Sequence, residues 1–198
     1  MSQRILVVDI ESIRSEGRSG AVSRPEIIEV GAAWIKQDGA ILATFRSFVR
    51  PAEQPRLSAA CVRETGISQS EVDAAPLFPV VAAQLAAFAR KHSAPDSHWI
   101  SWGSTGLRQL EQECTRHRIG NPLALPHLNA KQRFAKSQQL EKEVGLRKAC
   151  ALARLGEVPG AHHRALNDAI AISWLLPWVF GDQQLAVPES KRSASSKV

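Results

Sequence analysis

Ile5-Leu6-Val7-Val8 runs without interruption into Asp9-Ile10-Glu11, and this junction constrains the chain more than any other stretch. Consecutive aliphatic and β-branched residues make a buried strand. Side chains alternate along a strand, so Asp9 and Glu11 project from one face and Ile10 from the other. Two carboxylates one strand-step apart, at the end of a buried strand, repel each other unless positive charge stands between them. A divalent cation with oxygen ligands meets that need. Two solvated acids at a loop are the alternative reading of the same residues.

Composition decides what surrounds this strand. At 198 residues, with 44% hydrophobic and 22% charged residues, the chain suits one globular domain with a proper core. It contains no apolar run of about 18 residues, so no membrane span is expected, and acids follow the N-terminus too soon for a signal peptide. Cys61, Cys114 and Cys150 are odd in number and widely spaced, which fits reduced core cysteines and a cytoplasmic protein. The net charge of +6 and pI near 9.7 favour a polyanionic partner such as nucleic acid.

Along the chain, Ser12 to Pro25 is rich in Gly, Ser and Arg and reads as an exposed loop. Two apolar runs, Glu26–Lys36 and Ala40–Arg50, flank Gln37-Asp38-Gly39, a strong hairpin signal. A short helical piece is expected around Leu57–Arg63, and Ser68 or Ser70 can cap a turn carrying Glu71 and Val72. Pro76–Arg90 has helical spacing with Val81, Leu85 and Phe88 on one stripe; His98–Trp102 is a short strand; Gly103–Arg118 is a helix with Leu107, Leu110 and Cys114 inside. His127–Phe134 is a short strand or a helix start, and Leu140–Leu155 a helix. The last helix spans about Arg164–Val179 and is expected to kink or end at Pro177, which lacks a backbone donor. Strands first, then helices alternating with strands, give an α/β domain with a mixed sheet. The domain is expected over residues 1–180, followed by a basic disordered tail over 181–198.

The second chemical stretch is Gly160-Ala161-His162-His163-Arg164-Ala165-Leu166-Asn167-Asp168-Ala169. His163 and Asp168 would lie about 140° apart on a helix and cannot share its face. His163 then belongs to the entering loop, with Asp168 one turn inside on the side of Ala165 and Ile172. An imidazole beside a fixed carboxylate suits a general base at a metal site; a helix start with polar residues in its first turns is the other reading.

Taken in order, D-x-E on the first strand and H-x-x-x-x-D at the start of the last helix resemble the DEDDh 3′–5′ exonucleases of the RNase H-like superfamily. The branch is the one with the histone-mRNA-trimming exonuclease and its bacterial relatives. EIIEVGAAWI, LSAACVRETGIS, SWGSTGLRQLEQEC, HLNAKQRFA and VGLRKACALARLG are similar to its further elements, so the resemblance covers about residues 4–180. It implies an RNase H-like fold with a mixed five-stranded sheet flanked by helices. It also implies Mg²⁺ or Mn²⁺ (one or two ions) on Asp9, Glu11 and Asp168, with His163 as the base that activates water. The implied reaction is hydrolysis at the 3′ end of single-stranded RNA or DNA, with Ile10, Ser12, Glu64, Thr65, Gly66 and Ile67 at the substrate. A homodimer or a polymerase partner would also suit the family.

The chain departs from that pattern twice. Ser101-Trp102-Gly103-Ser104-Thr105-Gly106 places Gly106 where the family has a metal-supporting aspartate and Ser104 where it has the preceding acid. Gln109, one turn on, is neutral, and Glu113 lies roughly 10 Å along the axis. The first metal site is therefore expected to survive and the second to be weakened; Ser104 or Thr105 can cap the helix there. In the wedge segment, Glu64 and Ala60 stand where the family has a leucine and an aromatic. Glu64 either repels phosphate or faces the metals in place of the lost carboxylate. The reading is a metal-dependent 3′–5′ exonuclease of impaired activity, with a degenerate fold that only binds nucleic acid or protein as the alternative. Trp99, Trp102, Trp174 and Trp178 are read as core rather than base-stacking residues, His162 as exposed, and Lys131 and Arg133 as a solvated face.

Overall fold

A computed structural model of the chain describes residues 4–13, 25–36, 39–156 and 163–186. The loop at 14–24, residues 37 and 38, His162 and the tail beyond residue 186 lie outside the described residues. Five strands form one sheet: β1 (Arg4–Ile13), β2 (Glu26–Lys36), β3 (Ile41–Phe48), β4 (His98–Ser101) and β5 (His127–Asn129), in spatial order β3-β2-β1-β4-β5. β1, β2 and β3 pair antiparallel, while β4 and β5 join β1 in parallel. The expected mixed five-stranded sheet is the one found. Gly39, at φ +84°, closes the hairpin with its N–H on the Lys36 carbonyl, a conformation that glycine adopts without steric cost.

Helices cover both faces. α3 (Phe78–His92) and α4 (Thr105–His117) pack on one, where Val81, Leu85, Leu110 and Cys114 meet Leu6, Val8 and Trp34. α5 (Ala130–Ser137), α6 (Leu146–Leu152), α7 (Ala165–Trp174) and α8 (Leu176–Phe180) pack on the other, against Ile5, Val7, Ala33 and Ile35. The pleat of β1 therefore sorts its side chains as expected, with Ile10 among the α3–α4 layer. Short helices α1 (Ala59–Thr65) and α2 (Gln69–Asp73) close one end of the sheet through Cys61, Ile67 and Val72. Ser68 caps α2 in a reciprocal box with Glu71. Among the described residues, no helix is long and apolar enough to cross a membrane.

Three boundaries differ from the sequence reading. The helix expected over Leu140–Leu155 is only Leu146–Leu152, because Gly145 at ψ 158° is extended and Val144 gives its carbonyl to Trp102 Nε1. The last helix breaks at Leu175, ahead of Pro177, which sits in the first turn of α8. A proline is tolerated there, where its missing N–H has no intrahelical partner to lose. Residues 181–186, the first part of the expected tail, are tied to α5, for Gln138 donates to the Gln183 carbonyl and accepts from Leu185 N–H.

Candidate active site

The site lies where β1 leaves the sheet. Asp9 and Glu11 pair across the ladder with Gly31 and Glu29 of β2, so these four positions share the face toward α7. Gly31 lets α7 come so close: a Cβ there would overlap the backbone of Ala165 and Leu166. α7 is thus seated against β2, and Asp168, in its first turn, is carried to the two β1 carboxylates. His163 stands just ahead of the helix at φ +59°, and its backbone N–H donates to Asp168 Oδ2 at 3.3 Å. The placement of His163 on the loop and Asp168 one turn inside follows the sequence reading.

Ligand-type atoms of Glu11, His163 and Asp168 lie within 4.8 Å of one another. Asp9 adjoins them. Burial, then the charges of Glu11 and Asp168, push its carboxyl well above the usual carboxylate range. Carboxylates from two distant stretches, crowded at the cost of the ionisation of Asp9, form the hard oxygen donor set that a divalent cation neutralises. The residues present fit such an ion.

A fully buried fourth acid, Glu29, is spoken for by cations. It accepts from Arg46 Nε at 2.7 Å, from Arg164 Nε and Nη2 at 3.2 Å each, and from Ala165 N–H at 3.0 Å. Both guanidinium groups also lie over the Phe48 ring. Glu29 therefore anchors the residue after His163 and the first N–H of α7. Sequence reasoning did not single it out, although an acid inside the apolar run of β2, two residues from Gly31, was the available signal.

Asp9, Glu11 and His163 open on a cavity of about 140 Å³, also lined by Ile10, Ser12, Glu64, Thr65, Ser101, Trp102, Thr105, Gly106 and Gln109. Of the residues expected at the substrate, Ile10, Ser12, Glu64 and Thr65 are on this wall. Gly66, the left-handed C-cap of α1, and Ile67, fully buried in the core, are not. Gly106 faces the cavity with no side chain, and Ser104 occupies the N-cap of α4 without a side-chain cap bond. Gln109 donates instead to Ser12 Oγ. Glu113 is turned away, buried on Ile27 N–H and Arg116. Ser101 Oγ donates to the Gly103 carbonyl and lies 2.8 Å from His127 Nε2, which assigns the imidazole proton to that nitrogen and braces the turn before Gly106. Trp99 is core, as read, whereas Trp102 reaches the cavity.

This geometry coincides with a sequence match to the RNase T exonuclease family over residues 6–176. The chain belongs to that family. It is 31% identical to the zebrafish ERI1 exoribonuclease 2 over 98% of its own length, but spans only 38% of that relative. The probable 3′–5′ exonuclease KapD of Bacillus subtilis is also 31% identical and is matched over 86% of its length, with 91% of this chain covered. Among solved structures, the nuclease domain of 3′hExo, a DEDDh family member bound to rAMP, superimposes with a TM-score of 0.78 at 24% identity, covering 94% of this chain and 96% of that one.

Proposed function

We propose that this chain is a metal-dependent 3′–5′ exonuclease that removes nucleotides from the 3′ end of single-stranded RNA or DNA. The observation that carries the reading is the convergence of Glu11, His163 and Asp168 within 4.8 Å, beside Asp9, from stretches more than 150 residues apart. Asp9, Glu11 and Asp168 would hold Mg²⁺ or Mn²⁺. When bound, such an ion supplies Lewis acidity to the scissile phosphate and makes water a better nucleophile near neutral pH. His163 takes the proton from the attacking water, and its place ahead of α7 keeps the imidazole at the mouth of the cavity. Ile10, Ser12, Glu64 and Thr65 meet the terminal nucleotide. Both curated relatives are exonucleases by name and one is an exoribonuclease, which supports RNA as the polymer to try first. Three unpaired, buried cysteines suit a reducing compartment, and we place the protein in the cytoplasm.

The vacant carboxylate position at Gly106 favours a second reading, in which the fold binds nucleic acid without useful turnover. One experiment separates the two: a 5′-labelled single strand, RNA and DNA in parallel, incubated with Mn²⁺ and with Mg²⁺. A shortening ladder from the natural chain that Asp9→Ala abolishes establishes the exonuclease. A ladder from Gly106→Asp alone means an intact scaffold short of one metal ligand, and none from either variant or the natural chain leaves the binding module.

A further inference from the structure

A second concavity, an open groove of about 670 Å³, runs between α5 and α8 and is lined by Asn129, Gln132, Arg133, Lys136, Ser137 and Phe180, with no carboxylate on its walls. Arg133 holds its guanidinium 4.8 Å from the centroid of the Phe180 ring, which orients the cation without neutralising it. Lys136 is exposed and has no ion-pair partner among the described residues. Lys131, by contrast, is paired with Glu143 at 3.7 Å.

The groove neighbours the active-site cavity across the β4–β5 ladder. Ser101, on the cavity wall, is the ladder partner of Asn129, on the groove wall, so one strand spacing of about 4.8 Å separates them. The stem of Lys131 lies beside Gly103. Both openings therefore sit at the carboxyl ends of the parallel strands β4 and β5, where α/β sheets offer ligands a crevice. Beside the apolar Leu128 and Val179, the groove offers two cations, amides, a hydroxyl and the half-buried Phe180 ring, and cations and amides are the groups that hold a nucleic-acid backbone without reading its sequence.

We propose that this groove carries the phosphates of the substrate strand 5′ to the terminus held in the cavity, with Arg133 and Lys136 as the phosphate contacts. The proposal rests on the exonuclease reading only for the direction of the strand. It assigns a task to Arg133, which the sequence alone presented as a solvated face.

The test is a fluorescence-anisotropy titration of a labelled single strand of about 12 nucleotides with the full chain in EDTA, so that nothing is cleaved, over a series of salt concentrations. Each phosphate contact on a single strand contributes a slope of about 0.7 in log K against log salt, so an Arg133→Ala/Lys136→Ala double variant should lose about 1.4 from the slope and bind roughly 25-fold more weakly near 0.1 M salt. Arg90→Ala/Lys91→Ala, on α3 across the sheet, removes the same charge and should bind nearly as the natural chain does. Equal loss from both double variants, or no loss from the first, overturns the groove. Because no turnover is read, a chain that binds through the groove yet never cleaves would sink the exonuclease reading alone, and a normal cleavage ladder with unchanged binding by the first variant would sink the groove alone.

Discussion

Gly31 of β2 stands directly opposite Asp9 of β1, and the first turn of α7 rests on it. One missing side chain thus sets the distance between the carboxylates of β1 and the carboxylate of α7. A Cβ at this position meets backbone, which cannot rotate away, so the whole helix must lift. Gly31→Ala should cost about 3 kcal/mol or more, a fall in Tm of roughly 6–12 °C for a domain of this size. It should also weaken Mn²⁺ binding measured by calorimetry. A variant with natural Tm and metal affinity would show that the approach of α7 does not set the site.

Glu29 makes a different demand on the same helix. Its carboxylate is fully buried, whereas Arg46 and Arg164 keep part of their surface in water. Removing the acid leaves two guanidinium groups at a desolvated point, for which a loss of about 2–3 kcal/mol is expected after allowing for the exposure of both arginines. Glu29→Gln should lower kcat more than it changes metal affinity, because the loop carrying His163 loosens while Asp9 and Glu11 stay on β1. The pH–rate profile should change with it. Equal losses in kcat and in metal affinity would mean that Glu29 serves the metal site as a whole.

Much of this was legible in the sequence because the informative signals were local. The alternation of β1 placed Asp9 and Glu11 on one face, and the five-residue spacing put His163 on the loop before the helix that carries Asp168. Asp-Gly marked the hairpin. Glu29 and Gly31 escaped because their meaning is tertiary. An acid in an apolar strand becomes an anchor only once Arg46 and Arg164 arrive from other elements, and a glycine marks close approach only once α7 lies over it. The split of the Leu140–Leu155 helix was missed for a related reason. Apolar spacing cannot show that Val144 is held by Trp102, although Gly145 was a visible breaker.

Asp9 predicts how metal binding responds to pH. Its carboxyl is raised in the folded state, by burial first and then by Glu11 and Asp168. Below the ordinary carboxylate range both folded and unfolded chains hold the proton, and the group has no effect on stability. As pH rises past that range the unfolded chain loses its proton first, so the metal-free protein loses stability until the folded carboxyl ionises too. A cation removes this penalty, since it binds the ionised form. The rise in Tm produced by saturating Mg²⁺ should therefore be small just above the ordinary carboxylate range and grow as pH is raised further and Asp9 deprotonates. Asp9→Asn should flatten that dependence. A metal-induced shift independent of pH in the natural chain would show that Asp9 carries no such burden.

Gly106 and Glu64 face one cavity from α4 and α1, and their coupling can be measured. A Cβ on Gly106 would lie 3.8 Å from Ser101 Cβ, ordinary contact, and the backbone there is not left-handed. Gly106→Asp therefore fits, and an acid in the first turn of α4 also suits the helix dipole. It should raise metal affinity or turnover by about 10–100-fold, with no fall in Tm. If Glu64 stands in for the absent aspartate, Glu64→Ala should weaken Mn²⁺ binding in the natural chain but much less in the Gly106→Asp background. A double-mutant cycle then gives a coupling of about 1 kcal/mol or more between two positions on different helices. Additive effects would mean that Glu64 serves the cavity wall and not the metal, and a gain in affinity from Glu64→Ala would mark it as a repulsive charge at the phosphate.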